Sequence, residues 1–127
     1  MRALIVDDSR AMRAIIAKIL RELGAEVVEA GNGREGLERL ATTAPVDVVL
    51  VDWNMPVMDG LTFVRELRGR REYDRVQVLM VTTESDAHHV TSALEAGANE
   101  YVMKPFDRSA LVSKLEAVGL TDTAAAG

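Results

Sequence analysis

Carboxylate, hydroxyl and ammonium side chains stand where four short apolar runs of the chain end. They are Asp7, Asp8, Asp52, Thr82 and Lys104. If these runs are parallel strands of one sheet, their carboxyl ends lie along the edge where open α/β sheets bind ligands. Each residue alone has an ordinary explanation, as a helix cap, a strand former or a solvated charge. Their coincidence at four strand ends favours one shared chemical site.

These residue types suit the transfer of a phosphoryl group to a carboxylate. Carboxylates brought together repel and raise one another's pKa unless a cation lies between them. Oxygen ligands without histidine or cysteine select a hard cation, and Mg²⁺ typically takes one or two carboxylates and keeps several waters. An ammonium and a hydroxyl can each contact a phosphoryl oxygen. The combination predicts a phosphoacceptor site that depends on Mg²⁺.

Strands and helices alternate five times along the chain. The predicted strands are Ala3–Val6, Glu26–Ala30, Val46–Val51, Val76–Val81 and Tyr101–Met103. The predicted helices run from the Ser9 cap to about Leu23, from Gly33 after the Asn32 cap to about Thr42, from about Leu61 to Arg68, from Asp86 to Ala96, and onward from the Asp107 cap. The alternation with short links predicts one α/β domain with a doubly wound parallel sheet. We expect the domain to span residues 1–120, and residues 121–127 to form a frayed, disordered tail.

Composition excludes several other classes of protein. The formal net charge of -5 argues against nucleic-acid and anionic-membrane binding. The chain has no cysteine and two histidines, which removes thiolate catalysis and makes a zinc site improbable. Neither a signal-peptide pattern nor a membrane-spanning run is present in the sequence, so we expect a soluble cytoplasmic protein.

Further motifs accompany the strand-end residues: Met55-Pro56 and Asp59-Gly60 follow the third strand, and Pro105 follows Lys104. With them the chain resembles the receiver domains of response regulators in bacterial two-component signalling, and among these the single-domain CheY-like group. The resemblance covers about Arg2 to Leu120. It implies a flavodoxin-like sheet of order 2-1-3-4-5 and a cis peptide bond before Pro105.

The resemblance also implies a role for each site residue. Asp52 is expected to be the phosphorylated residue and a Mg²⁺ ligand. Asp8 is expected to bind Mg²⁺ directly, Asp7 mainly through water, and Asn54 through its backbone carbonyl. Lys104 is expected to contact the phosphoryl group, as in other family members.

Other residues are expected to change conformation on phosphorylation, to set the lifetime of the phosphorylated form or to bind a partner protein. Thr82 is expected to move towards the phosphoryl group and Tyr101 to turn inward with it, although Tyr101 alone suggests only a half-buried aromatic. The lifetime of the phosphorylated form is expected to depend on Asn54, Thr83 and Glu84. An apolar patch of Met12, Ile15 and Pro105 suits docking of a kinase or phosphotransfer helix.

The expected partners are a histidine kinase or histidine phosphotransfer protein and a downstream target. The target would bind the face formed by the fourth helix, fifth strand and fifth helix, and be regulated in trans, with chemotaxis one candidate pathway. We expect a monomeric switch whose only enzymatic activities are self-phosphorylation from small donors and self-dephosphorylation.

Two other functions stay open at this point. A haloacid-dehalogenase-like phosphohydrolase also works through an aspartyl phosphate, but it wants a carboxylic acid two positions after the nucleophile, where this chain has Asn54. A flavodoxin-like FMN binder needs a hydroxyl-rich phosphate loop after the first strand, where this chain has Asp7-Asp8.

Several residues outside the predicted site are given structural predictions only. Arg65, Arg68, Arg70 and Arg71 form a basic run in which Glu66 and Glu72 are interspersed, which favours a solvated helix end. His88 and His89 are predicted to lie on the outer side of the fourth helix and to be solvated. Val90, Ala93 and Leu94 are predicted to face inward.

Overall fold

The sheet has five parallel strands in the order β2-β1-β3-β4-β5, which confirms the expected topology. The structure, a computed structural model, describes residues 1–43, 45–83 and 87–120. The strands are β1 (Arg2–Val6), β2 (Glu26–Ala30), β3 (Val48–Asp52), β4 (Gln77–Thr82) and β5 (Glu100–Met103). The helices are α1 (Arg10–Glu22), α2 (Gly33–Thr42), α3 (Gly60–Arg68), α4 (Ala87–Ala96) and α5 (Arg108–Ala117), and a 3₁₀ turn spans Arg71–Tyr73.

The predicted boundaries differ from the observed ones by a residue or two. β3 begins at Val48 rather than Val46, and β4 ends on Thr82 rather than Val81. Glu84, the predicted helix start at Asp86, the side chain of His88 and the tail of residues 121–127 lie outside the described part of the chain. Within the described ranges, no helix is long and apolar enough to cross a membrane.

Two apolar layers cover the sheet, one on each face. Successive residues of a strand point to opposite faces, so Leu4 and Val6 join one layer while Ala3 and Ile5 join the other. The first layer packs α2, α3 and α4 against the sheet, and the second packs α1 and α5. Because both faces are covered, every residue of β3 is buried, which explains its near-continuous aliphatic sequence.

Polar side chains fix where four of the helices begin. Ser9, Asn32, Asp59 and Asp107 each accept a hydrogen bond from the backbone N–H three residues further on. Three of these caps agree with the sequence prediction, and Asp59 is an additional one. Since each cap lies shortly after a strand, it holds a helix start close to the edge of the sheet that carries the acidic residues.

Leu94 does not face inward as predicted, because its side chain is 44% exposed. Ala93 is the α4 residue that packs directly against the core, at 1% exposure. The next residue along a helix is rotated by about 100°, which carries Leu94 towards solvent. The prediction was therefore wrong for Leu94. Because α4 packs against the core through the small side chain of Ala93, only a narrow strip of the helix surface is buried, and Leu94 lies outside it.

Arg68 is not part of a solvated helix end, so that prediction was also wrong for it. Its guanidinium donates hydrogen bonds to the carbonyl oxygens of Gly97, Tyr73 and Val76 and to Oδ1 of Asn99, at 2.8–3.0 Å. These acceptors lie where the 3₁₀ turn, the start of β4 and the end of α4 meet. Burial lowers the pKa of the Arg68 guanidinium from its usual value. Arg65, Arg70 and Arg71 are exposed, as predicted.

Candidate functional site

The sheet topology brings the strand-end residues to one edge. β1, β3, β4 and β5 are consecutive in the sheet. Asp7 follows β1 directly, Asp52 and Thr82 are the last residues of β3 and β4, and Lys104 follows β5. The backbone N–H of Lys104 donates to the Thr82 carbonyl at 2.7 Å, which extends the contact between the last two strand ends. The convergence inferred from the sequence is therefore present.

Three carboxylates form the centre of this edge. One oxygen each of Asp7, Asp8 and Asp52 lies within 4.8 Å of the others. Asp7 and Asp52 are buried, at 1% and 8% exposure, whereas Asp8 is exposed. The Lys104 ammonium lies 3.3 Å from Asp7 Oδ2 and 3.4 Å from Asp52 Oδ1. One lysine thus balances only part of the negative charge of the cluster.

Burial and, to a smaller extent, the neighbouring charge of Asp7 raise the pKa of the Asp52 carboxyl to about 6. Lys104 opposes the shift through its charge and its hydrogen bond to Asp52. The pKa nevertheless stays above its ordinary value, because one ammonium cannot offset both burial and the other carboxylates. A second cation at this edge would favour the ionised form of Asp52.

The donor set fits Mg²⁺. It consists of carboxylates, hard oxygen ligands that this ion prefers, and the described members of the cluster include neither histidine nor cysteine. The exposed position of Asp8 leaves room for the waters that Mg²⁺ usually keeps. Asp7 is already held from one side, since its Oδ1 accepts the Ser9 N–H at 2.8 Å.

Gly60 lets the segment after Asp52 turn back onto the strand end. A Cβ at this position would overlap the backbone carbonyl oxygen of Asp52. The Gly60 N–H donates to the Trp53 carbonyl at 3.0 Å, and the Trp53 N–H donates to the Val81 carbonyl at 3.0 Å. The residue after Asp52 is thereby tied to both β4 and the start of α3, which holds the Asp52 side chain at the edge.

The other predicted residues surround the carboxylates at different depths. Thr82 is buried, Asn54 and Thr83 are exposed, and Tyr101 is half-buried against the core. The peptide bond between Lys104 and Pro105 is cis, as the resemblance implied. On α1, Met12 is half-buried against the core and Ile15 is 51% exposed, and Pro105 is exposed. Their use as a docking patch stays a prediction.

Two contacts near the site were not predicted. The His89 ring stacks on the Trp53 ring with centroids 4.4 Å apart and planes 30° from parallel, so the prediction of a solvated His89 was wrong. The Lys114 ammonium lies 4.4 Å from the Tyr101 ring centroid and 3.2 Å from Glu100 Oε1. Both contacts join residues of different elements, and no sequence spacing connects them.

Comparison with known proteins identifies the family. The family model described as the response regulator receiver domain matches residues 3–116. The chain belongs to the response regulator receiver domain family. A relative of this receiver domain, chemotaxis protein CheY1 of Helicobacter pylori, is 44% identical over 119 residues, which cover 93% of this chain and 96% of the relative. Chemotaxis protein CheY of Pseudomonas aeruginosa is 40% identical over 119 residues, covering 93% and 95%.

A solved structure gives the same result for the fold of the receiver domain. Chemotaxis protein CheY4 of Vibrio cholerae superimposes with a TM-score of 0.87 at 36% identity, covering 92% of this chain and 97% of the other. Receiver domains are phosphorylation-activated signalling switches that bind Mg²⁺ at an acidic pocket. This chain is such a switch, and it has an acidic cluster of Asp7, Asp8 and Asp52. The family match and these relatives support neither a phosphohydrolase nor an FMN-binding protein.

Proposed function

We propose that Asp52 is the residue of this switch that accepts the phosphoryl group. The observation that carries the proposal is the position of its carboxylate, at the end of β3 and between the Lys104 ammonium and the carboxylates of Asp7 and Asp8. Of the three acids, Asp52 is itself the last residue of a strand, and that strand, β3, lies between β1 and β4 in the sheet. Its phosphorylation would therefore act on both adjacent strand ends.

The transfer forms a bond between an Asp52 carboxylate oxygen and phosphorus. With a phosphohistidine donor, the bond from phosphorus to the ring nitrogen breaks, and its electron pair stays on that nitrogen. When the other ring nitrogen carries a proton, the donor leaves as neutral imidazole and no acid is needed to protonate it. Attack by water later breaks the acyl phosphate and restores the carboxylate with release of inorganic phosphate.

The neighbours of Asp52 take separate parts in this step. Asp7 and Asp8, with Asp52 and the Asn54 carbonyl, would hold Mg²⁺, which neutralises charge on the carboxylates and the incoming phosphoryl oxygens when bound. Lys104, whose ammonium lies 3.4 Å from Asp52 Oδ1, would move onto a phosphoryl oxygen. Thr82, at the end of the neighbouring strand, would donate its hydroxyl to another.

The output of the switch would be a change in the face formed by α4, β5 and α5. Movement of Thr82 and Tyr101 would alter this face, and a downstream protein that binds one state better would be regulated in trans. A histidine kinase or histidine phosphotransfer protein would supply the phosphoryl group and dock near Met12, Ile15 and Pro105. Because several relatives are named chemotaxis proteins, control of motility is the pathway we propose.

Asp52→Asn tests the assignment directly. With acetyl phosphate and Mg²⁺, the wild-type protein should gain one phosphoryl group by intact mass, and peptide mapping should place it on Asp52. Asp52→Asn should gain none and keep its circular dichroism spectrum. Asp74→Asn, at an exposed site remote in sequence from the cluster, serves as the matched control and should react normally. Phosphate found on Asp7 or Asp8 of the wild type would contradict the proposal.

A further inference from the structure

Trp53 follows Asp52 and occupies a fixed place at the edge of the sheet. Its backbone N–H donates to Val81 of β4, and its carbonyl accepts from Gly60 at the start of α3, both at 3.0 Å. Its ring is half-buried against the core layer that α2, α3 and α4 cover. A displacement of the end of β3 must therefore carry the Trp53 ring with it.

The ring of His89 lies directly on Trp53. The two centroids are 4.4 Å apart with planes at 30°, and His89 Nδ1 is inaccessible to solvent. His89 belongs to the first turn of α4, the helix that contributes to the proposed target face. The stack thus joins the residue next to the phosphoacceptor to the element that would report phosphorylation.

This contact is important because few α4 side chains pack against the rest of the protein. Of the α4 side chains that the structure describes, Ala93 is the one that is fully buried. Thr91, Leu94 and Glu95 are exposed, and Val90, Ser92 and Ala96 are half-buried. A large ring contact at the beginning of such a helix contributes a sizeable share of its tertiary packing.

We propose that His89 is a positioning residue that couples the phosphoacceptor site to α4 through its stack on Trp53. The inference rests on the function proposed for Asp52. In this arrangement a shift at the end of β3 either breaks the stack or moves the first turn of α4. By reciprocity, a protein that binds and repositions α4 also changes the site beside Asp52 by the same coupling.

Amide hydrogen exchange of α4 tests the coupling, with Mg²⁺ and beryllium fluoride as the phosphoryl mimic. In the wild type, adding both should change the exchange of α4 amides. In His89→Ala the change should be smaller by about two- to tenfold, the range expected for loss of one aromatic stack. His89→Phe keeps a ring and should restore the response. Glu95→Ala, which changes an exposed position of the same helix, should respond as the wild type does.

Fluorescence of Trp53, the single tryptophan of the chain, tests whether the stack itself is present. Its emission should differ between the wild type and His89→Ala. If the alanine variant folds poorly, His89→Leu is measured in its place and should show the same difference. An equal α4 response in the folded His89→Ala or His89→Leu protein would overturn the inference, as would loss of the response in folded His89→Phe.

The outcomes separate this inference from the proposed function. If acetyl phosphate modifies Asp52 while α4 responds equally with and without the His89 ring, the coupling role is wrong and the phosphoacceptor assignment stands. If the wild type gains no phosphoryl group on Asp52, the assignment is wrong and the coupling role falls with it.

Discussion

At the scale of single residues, the raised pKa of the Asp52 carboxyl has consequences for both stability and cation binding. Burial and Asp7 raise its pKa to about 6, so the ionised form is costly in the protein without a bound cation. An acid whose folded-state pKa is raised destabilises the fold above that pKa, and the cost disappears as the pH falls towards 4. In the proposed mechanism, the same charge that costs stability is the one that binds a cation and attacks phosphorus.

The affinity for Mg²⁺ should consequently depend on pH around 6. Below this value Asp52 is increasingly protonated, and the cation must displace the proton, so the affinity should fall by up to about tenfold per pH unit. Above it the affinity should level off. Fluorescence of Trp53 during Mg²⁺ titrations between pH 5 and 8 measures this dependence.

Asp52→Asn is the control for this dependence. It should bind Mg²⁺ more weakly and with a shallower pH dependence, since it lacks the titrating carboxyl. A wild-type affinity that does not change between pH 5 and 7 would show that Asp52 is not the titrating ligand.

Thr83 is predicted to control how long the phosphorylated form lasts. It is exposed and follows Thr82 directly. If its side chain narrows the approach of water, Thr83→Ala should shorten the lifetime several-fold, corresponding to about 1 kcal/mol in the barrier. Decay of the phosphorylated protein in Mg²⁺ without donor measures the lifetime, and an unchanged or longer value would show that Thr83 does not restrict water.

At the scale of elements, Arg68 connects segments that otherwise meet only at their ends. Its guanidinium donates to carbonyl oxygens from three segments: the 3₁₀ turn, the residue before β4 and the loop after α4. A Cβ on Gly97 would contact the Arg68 side chain too closely, so the glycine is needed for the guanidinium to reach the loop. This network lies far along the strands from the acidic residues, at the opposite ends of β4 and β5.

Arg68→Ala should lower the free energy of unfolding by about 2–4 kcal/mol, because several part-buried carbonyls lose a charged donor. Arg65→Ala removes an exposed arginine from the same helix and should change stability by less than about 0.5 kcal/mol. Urea denaturation followed by circular dichroism compares the two. Equal costs for both variants would mean that the Arg68 contacts contribute little.

At the scale of the whole molecule, the acidic cluster links cation binding to folding. The three carboxylates come from the ends of two strands 45 residues apart in the chain, 52 against 7, so they meet only in the folded protein. A ligand that binds only the folded state stabilises it by about 2.7 kcal/mol at one hundred times its dissociation constant. The unfolded chain has no comparable site.

Mg²⁺ should therefore raise the thermal unfolding temperature in proportion to the logarithm of its concentration. A shift of roughly 5–10 °C is expected at one hundred times the dissociation constant for a domain of this size. Differential scanning calorimetry at constant ionic strength measures it, with Na⁺ as the salt control. Asp8→Ala should lose most of the shift, and Asp74→Asn should keep it; an equal shift in both variants would place the cation elsewhere.

The strand-end site could be predicted from the sequence because its causes are local and then topological. Short aliphatic runs define the strands, and capping residues such as Ser9 and Asn32 define the helices between them. Once strands and helices alternate, each helical crossover makes the strands that it joins parallel. Asp7, Asp52 and Lys104, which stand at strand ends, then lie at one edge of the sheet. The strand order came from the family resemblance, and the observed sheet has it.

The contacts that sequence analysis missed depend on distances between elements that are remote in the chain. Arg68 finds its acceptors at carbonyls that residue identity does not reveal, and the stack of His89 on Trp53 depends on where α4 lies relative to the end of β3. Lys114 reaches the Tyr101 ring only because α5 packs beside β5. Periodicity along one helix tells which residues share a face, but packing of neighbouring elements decides which faces are covered and by what.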